Sequence, residues 1–82
     1  MAQNIDVRIE TYLHNSRFKM GETLKRFREK NGYNQEQLAE VMKVSRTTIS
    51  KIESGKFNCS MDYLSKFSWF LGFEVSFNEK EK

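Results

Sequence analysis

Polar side chains between residues 46 and 51 have the types and spacing that contact with nucleic acid requires. Ile49 and Ile52 lie three positions apart, so a helix over this segment would bury both on one face. The opposite face would then present Arg46, Thr47, Ser50 and Lys51. A guanidinium at the start of such a helix can hold O6 and N7 of guanine, and hydroxyl or ammonium groups can bond base edges or phosphates. The alternative interpretation is the ordinary solvated face of an amphipathic helix.

Another helix is predicted just before this one. Leu38 and Met42 are four positions apart and share a face, and Ala39 is small enough to let the two helices cross closely. Asn34 is a typical helix N-cap residue, and Ser45 would cap the following helix in the same way. The segment 34–55 is therefore predicted to form two helices joined by a tight turn.

Two helices are predicted before this pair. Residues 5–14 have apolar side chains at helical spacing, and Asn15-Ser16 would interrupt the helix that they form. The next helix would run over about residues 19–31 and stop at Gly32, because glycine suits the left-handed residue after a helix. Its buried stripe would consist of Met20, Leu24 and Phe27.

The chain after residue 59 is predicted to form one more helix and then a strand. Ser60 would cap the helix and Gly72 would close it. The inward side chains of the helix would be Met61, Leu64, Phe67 and Leu71. Residues 73–78 alternate apolar and polar side chains, which is typical of a strand. A single strand leaves its edge without partners, so we expect it to pair with the same strand of a second chain.

The composition favours one small domain, and its charge suits a polyanionic partner. The chain has 82 residues, 38% of them hydrophobic, which is enough for one modest core, and no apolar run is long enough to span a membrane. The excess behind the net charge of +3 lies in residues 1–58, which fits nucleic acid about as well as an ordinary surface. Residues 1–16 lack the apolar core of a signal peptide, and Cys59 is the single cysteine, so we expect a cytoplasmic setting.

The sequence contains no arrangement typical of catalysis or of a cofactor. His14 has no second metal ligand at a suitable spacing, and Cys59 has no base at a readable distance. Glycine-rich phosphate loops, paired carboxylates and nucleophile motifs are missing from the sequence. We therefore expect no enzyme activity, no metal and no cofactor.

Four runs of residues resemble those of the phage repressor and Cro-like helix-turn-helix family, also called the xenobiotic-response-element family. They are Leu24-Lys25-Arg26-Phe27-Arg28, Asn34-Gln35, Val44-Ser45-Arg46 and Ile49-Ser50-Lys51-Ile52-Glu53-Ser54-Gly55. The resemblance covers about residues 20–75. It implies an all-α, compact lambda-repressor-like bundle of four to five helices, here with one short C-terminal β-strand that pairs across a dimer. It also implies sequence-specific binding of double-stranded DNA.

The resemblance further implies roles for single residues. Base contacts would come from Arg46, Thr47, Ser50 and Lys51. Phosphate contacts are predicted for Gln35, Lys43, Thr48, Lys56 and Asn58, and of these the resemblance itself assigns only Gln35. A simple helix start is the alternative for Gln35, and a plain surface loop is the alternative for Lys56 and Asn58. Arg28 and Glu53 match a buried ion pair with a structural role.

Two positions depart from the family pattern. The turn between the two helices usually has a glycine with positive φ, and Lys43 in that conformation would cost about 1 kcal/mol. We expect a slightly different turn here, with phosphate binding by Lys43 as the alternative. Trp69 stands where the family usually has a polar residue, so we expect a subunit or partner contact there. The alternative is that the N-terminal helix folds back and covers it. The predicted dimer interface consists of Trp69, Phe73, Val75 and Phe77.

Together these interpretations predict a dimeric repressor on a palindromic operator, in the nucleoid of a bacterium or the host of a phage. The predicted organisation is an N-terminal amphipathic helix at 1–16, a DNA-binding domain at 17–72, a dimerisation strand at 73–78 and a frayed tail at 79–82. The alternative function is that of an antitoxin that neutralises a toxin protein and binds its own promoter. The small size and the C-terminal strand are similar to those of antitoxins from toxin–antitoxin operons.

Overall fold

The computed structural model describes residues 6–80, which form four helices. The helices are α1 (Val7–Lys30), α2 (Gln35–Met42), α3 (Arg46–Glu53) and α4 (Met61–Leu71). Each begins after a residue whose side chain accepts a backbone N–H, and these residues are Asp6, Asn34, Ser45 and Ser60. The predicted all-helical fold is confirmed for this part of the chain. None of the described helices is both long and apolar enough to cross a membrane.

The first helix is continuous where the sequence suggested a break. Asn15 and Ser16 lie inside α1, which is 24 residues long. Each of them lowers helix stability relative to alanine by only about 0.5 kcal/mol, which is too little to end a helix whose first turn is capped. Its start is fixed by Asp6, whose carboxylate accepts the N–H of Arg8 at 2.9 Å. The predicted interruption is therefore wrong, and Ile5, where the helix was expected to begin, lies outside the described residues.

The core lies where α2, α3 and α4 pack against the C-terminal half of α1. Its side chains are at most 5% exposed and comprise Leu24, Leu38, Ala39, Met42, Ile49, Ile52, Phe67 and Leu71. Met20, Phe27 and Leu64 pack at the edge of this core and are partly buried. Met61 is 57% exposed, contrary to the prediction, because it occupies the first position of α4, ahead of the turns that pack on the core.

Glycine at position 21 lets α1 lie against the backbone of α3. A Cβ atom on Gly21 would lie 2.5 Å from the carbonyl oxygen of Glu53 and 2.6 Å from that of Ile52. Both distances are far inside van der Waals contact, and neither oxygen can move with a flexible side chain. The two helices therefore cross with backbone against backbone, which fixes the C-terminal end of α3 relative to α1.

The C-terminal segment is a tail rather than a strand. Within the part of the chain that the structure describes, no backbone hydrogen bond involves residues 74–80. The predicted strand is therefore not supported, because a strand is defined by a ladder of hydrogen bonds that a single chain does not offer here. The tail instead returns along α1. The ring centroids of Phe73 and Phe27 are 5.1 Å apart, and the ammonium group of Lys80 lies 5.0 Å from the centroid of the Tyr12 ring. Residues 81–82 of the predicted frayed tail lie outside the described residues.

Lys43 adopts the left-handed conformation that the sequence analysis considered unfavourable. Its φ is 60° and its ψ is 45°. The N–H of Val44 donates to the carbonyl of Ala39 at 3.0 Å, and the N–H of Lys43 donates to that of Glu40 at 3.3 Å. These two bonds form a Schellman motif, in which glycine is the usual left-handed residue. The expectation of a different turn is therefore wrong, because packing on both sides of the turn outweighs the local backbone cost.

Replacing Lys43 with glycine should raise the free energy of unfolding by about 1 kcal/mol, because glycine has no Cβ to penalise positive φ. Urea unfolding of the free protein measures the change. Gly32→Ala is the matched control: Gly32 has φ 80°, and nothing lies within 4 Å of the position its Cβ would take. That variant should lose a similar amount of stability through conformation alone. Equal unfolding midpoints for Lys43→Gly and the wild type would contradict this account.

Candidate nucleic-acid interface

One side of α3 faces the core and the other faces solvent. The buried side consists of Ile49, Ile52 and Glu53. The other side consists of the exposed Arg46, Thr47 and Lys51 with the half-buried Ser50 beside them. We call these four residues the recognition face. The structure therefore places all four predicted base-contact residues on the side of α3 that is turned away from the core.

The N-terminal end of α3 is fixed by its cap. The hydroxyl of Ser45 accepts the N–H of Thr48 at 3.0 Å, and the two side-chain hydroxyls are hydrogen-bonded at 2.8 Å. Thr48, which we predicted to contact a phosphate, is half-buried and already uses its hydroxyl in this bond. The cap therefore fixes the backbone of the first turn of α3, from which the side chain of Arg46 extends.

The C-terminal end of α3 is held by a buried ion pair. Nε of Arg28 donates to Oε2 of Glu53 at 2.6 Å, and Nη2 donates to Oε1 at 3.0 Å. Such a two-bond contact is the strongest geometry for these groups. Arg28 is 6% exposed and Glu53 is 7% exposed. The hydrogen bond to the carboxylate raises the pKa of Arg28 above its already high usual value, which favours the charged guanidinium.

Neighbouring groups complete the hydrogen bonding of this pair. Nε2 of Gln35 donates to Oε1 of Glu53 at 3.1 Å, and Nη1 of Arg28 donates to the carbonyl of Tyr33 at 2.9 Å. Among the described residues, no buried side-chain nitrogen or oxygen lacks a hydrogen-bond partner. Gln35, which we predicted to contact a phosphate, is the first residue of α2 and uses its amide nitrogen to hold Glu53. The pair therefore joins α1, the start of α2 and the end of α3.

The other predicted phosphate contacts lie at opposite ends of α3. Lys43 is exposed in the turn before the helix, three positions ahead of Arg46. Lys56 and Asn58 are exposed in the loop that follows the helix. The structure does not bring the five predicted phosphate residues into one cluster; it sets them on both sides of the recognition face.

The short helices α2 and α3 are joined by a tight turn, and α3 presents its polar side to solvent. The buried Arg28–Glu53 pair holds α3 from the other side. This arrangement is a helix-turn-helix. The profile of the helix-turn-helix family matches residues 24–78, which is more than half of the chain. The chain belongs to this family, in its xenobiotic-response-element branch. It is a DNA-binding transcriptional regulator.

Two solved structures are similar to this helix-turn-helix regulator. The clp gene regulator ClgR from C. glutamicum is 32% identical, with a TM-score of 0.68 over 72% of this chain and 76% of that chain. The restriction-modification controller protein C.AhdI from Aeromonas hydrophila is 28% identical, with a TM-score of 0.70 over 73% of this chain and 91% of that chain. No curated protein matches the sequence significantly. The family and these two neighbours are regulators of genes, not enzymes.

Arg17 of the regulator lies beside the loop after α3, and sequence reasoning missed it. Its Nη1 donates to Oδ1 of Asn58 at 3.2 Å. The only available signal was the charge itself, because Asn15-Ser16 predicted a helix break directly before Arg17. With a break at that point, α1 was not expected to extend past the loop that follows α3.

The described residues contain no group suited to metal binding, and the cysteine is unreactive. No cluster of three or more His, Cys, Asp or Glu side chains within residues 6–80 could hold a metal ion. Cys59 is half-buried, and this burial raises the pKa of its thiol. The thiol therefore remains protonated near neutral pH, where only the thiolate is a good nucleophile.

The four predicted interface residues are in two different environments. Trp69 is 82% exposed and Phe77 is 91% exposed. Phe73 and Val75 are half-buried. The alternative in which the N-terminal helix covers Trp69 is wrong, because most of the indole is in solvent. The regulator therefore carries two large apolar side chains that nothing in the described residues covers.

Glu53→Ala should lower the free energy of unfolding by about 3–5 kcal/mol, because it leaves the Arg28 guanidinium buried without its carboxylate. Glu29→Ala is the matched control, since Glu29 is exposed and adjacent to Arg28 on α1. Its loss should remain within about 0.5 kcal/mol. Urea unfolding followed by circular dichroism measures both. Similar losses for the two variants would show that the ion pair contributes no more than a surface charge.

Proposed function

We propose that this regulator represses transcription by binding a palindromic operator as a symmetric dimer. The observation that carries the proposal is the recognition face on a helix fixed at both ends, by the Ser45 cap and by the Arg28–Glu53 pair. Side chains that read bases must be held in position before binding, since ordering them on the DNA would cost affinity. A fixed helix meets that requirement for the backbone positions from which the exposed hydrogen-bond donors extend.

The size of α3 suits the major groove. The helix has eight residues and is therefore about 12 Å long, comparable to the groove width of about 12 Å. Arg46, at its start, would donate two hydrogen bonds to a guanine. Thr47 would offer its methyl group to thymine or its hydroxyl to a base, and Lys51 would reach further along the same groove. Phosphate contacts would come from the residues at either end of α3, of which Lys43, Lys56 and Asn58 are exposed.

Selection of bound sequences from a random DNA pool at a stated salt concentration tests the proposal. A symmetric dimer places its two recognition helices about 34 Å apart, which predicts a palindromic consensus with half-sites one helical turn apart. Binding at such a site would repress by excluding polymerase from an overlapping promoter. A consensus with a single, non-repeated half-site would contradict the dimer, and no enrichment at all would contradict specific DNA binding.

Arg46→Ala should weaken binding to the selected operator by about 1–3 kcal/mol and relax base preference at one position in each half-site. The loss arises because a guanine that no longer receives its two hydrogen bonds is not distinguished from other bases. Lys56→Ala is the comparison: it should weaken binding to operator and unrelated duplex alike, since phosphates carry no sequence information. Fluorescence anisotropy with both duplexes measures these effects. Unchanged base preference in Arg46→Ala would remove Arg46 from the interface.

We further propose that the tail pairs with its symmetry mate to build the dimer. The backbone of residues 74–80 makes no hydrogen bonds within the described chain, so its donors and acceptors are free for an antiparallel partner. Phe77 is exposed next to this backbone and would become buried on pairing. The proposal extends to Phe73 and Val75 as the base of the interface and to Trp69 as a contact at its edge.

Proline substitutions in the tail should dissociate this dimer. Adjacent strand residues direct their N–H groups to opposite sides, so one of Ser76→Pro and Phe77→Pro must remove a donor from the ladder. That variant should sediment as a monomer at micromolar concentration and lose operator affinity by orders of magnitude. Ser76→Ala and Phe77→Ala are the matched controls for the lost side chains. If both proline variants stay dimeric and Trp69→Ser becomes a monomer, the interface lies on α4.

A second candidate function is that of an antitoxin. The observation that favours it is the exposed N-terminal half of α1, where Ile9 is 56%, Tyr12 57% and Leu13 43% exposed. A toxin could cover this apolar surface while α3 remains free to bind a promoter. A toxin gene beside this one, whose growth arrest is relieved by this chain and not by an Ile9→Ser, Leu13→Ser variant, would support this function. Relief by both chains alike would reject that surface as the toxin site.

A further inference from the structure

We infer that Arg17, on the N-terminal half of α1, completes a phosphate-binding site with Lys56 and Asn58 for the DNA backbone beside the C-terminal end of α3. The inference rests on the proposed operator binding and adds to it a helix that the recognition face does not include. Its chemistry is that of a phosphodiester group held by a guanidinium, an ammonium and an amide.

The site is an open cleft between α1 and the loop after α3. Its volume is about 430 Å³, and its lining consists of His14, Arg17, Gly55, Lys56 and Asn58. No carboxylate is among these residues. The ion pairs within residues 6–80 are Asp6 with Arg8 and Arg28 with Glu53, so neither cation of the cleft is neutralised there. Two positive charges and an amide therefore face one open space that is large enough for an anion.

The loop is held against α1 by its backbone. Gly55 has φ 78°, and its N–H donates to the carbonyl of Ile52 at 3.1 Å while that of Lys56 donates to the carbonyl of Lys51 at 2.9 Å. This Schellman motif turns the chain sharply at the end of α3. A Cβ atom on Gly55 would lie 3.0 Å from Cα of Phe18, so the loop touches the turn of α1 that carries Arg17. The fold therefore sets the spacing of the two backbone positions that carry the cations.

The hydrogen bond inside the cleft leaves donors free for a phosphate. Oδ1 of Asn58 accepts from Nη1 of Arg17 at 3.2 Å, which directs the amide NH₂ of Asn58 away from the guanidinium. Arg17 has five N–H donors, and this bond uses one of them. Lys56 adds an exposed ammonium group. Charge-assisted bonds of this kind are about twice as strong as neutral ones, and a guanidinium can hold two phosphate oxygens at once.

The location of the cleft matches the path of a DNA strand. A helix in the major groove has a phosphate backbone along each side, and a loop that leaves its end must pass one of them. The cleft lies directly beyond that end of α3, and the exposed first turns of α1 continue past it. Glu10, one turn before His14, ends the positive surface in that direction. Arg17 would therefore contact the phosphate nearest the loop, with no contact to a base.

The test is the salt dependence of binding to the selected operator and to an unrelated duplex of equal length. Arg17→Ala should reduce the slope of log K against log salt by about 1 for each bound protomer, on both duplexes, because one fewer counterion is released. Arg17→Lys should retain most of the slope. Arg26→Ala is the matched control: Arg26 is exposed and nine residues further along α1, about two and a half turns away and so on the opposite side. It removes the same charge and should leave the slope unchanged.

The outcomes separate this site from the proposed function. If the wild type and Arg26→Ala bind specifically and Arg17→Ala shows the same slope as both, the phosphate site is rejected and operator binding stands. If Arg17→Ala and Arg26→Ala reduce the slope equally, net charge explains the effect and the site is again rejected. If the wild type binds neither duplex, the proposed function and the site fail together. Thermal unfolding of each variant checks that Arg17→Ala retains the fold.

Discussion

The buried Arg28–Glu53 pair is the interaction on which the position of α3 depends. Glu53 is the last residue of α3, where free carbonyl groups already give the helix end a negative partial charge. A carboxylate without a partner would be unfavourable there, because it is removed from water and because it adds to the negative charge of the helix end. Arg28, which belongs to α1, offsets both effects. Because Gln35 donates to the same carboxylate, one charged contact sets the end of α3 against two other helices.

Close backbone contact converts this charge interaction into a fixed geometry. At Gly21, α1 leaves no room for a single methyl group against the carbonyls of α3, and at Gly55 a Cβ atom would lie 3.0 Å from Cα of Phe18. An ion pair alone tolerates small shifts of its long side chains, whereas backbone against backbone does not. Base discrimination depends on bidentate hydrogen bonds worth about 1–3 kcal/mol each, and those bonds require such fixed positions. The ion pair attracts the end of α3 to α1, and the close backbone contacts at the two glycines fix the position at which it is held.

The sequence predicted the elements whose signals are local. The caps at Asn34, Ser45 and Ser60 and the helical spacing of apolar residues located α2, α3 and α4, and the same periodicity put the recognition face on one side of α3. The sequence-based prediction failed where a small local cost was taken for a break. The helix cost of Asn15-Ser16 is about 1 kcal/mol, too small to end α1 even in its exposed half, and packing around the turn outweighs a similar backbone cost at Lys43. Arg17 was missed for a related reason: its partner Asn58 is 41 residues away, and only a continuous α1 brings them together.

The continuity of α1 also links the two ends of the chain. The tail returns along α1 from Phe27 towards Tyr12, so any second chain that pairs with the tail will lie close to the N-terminal half of that helix. The same half carries Arg17, and the C-terminal half carries Arg28. The single helix α1 thus contacts the tail, lines the cleft beside the loop and carries Arg28 of the ion pair behind α3. Two copies of α1 related by a dimer axis would fix the separation of the two α3 helices, because neither α3 can move without displacing its own α1. If two chains pair through their tails, the length of α1 therefore sets the distance between their two α3 helices.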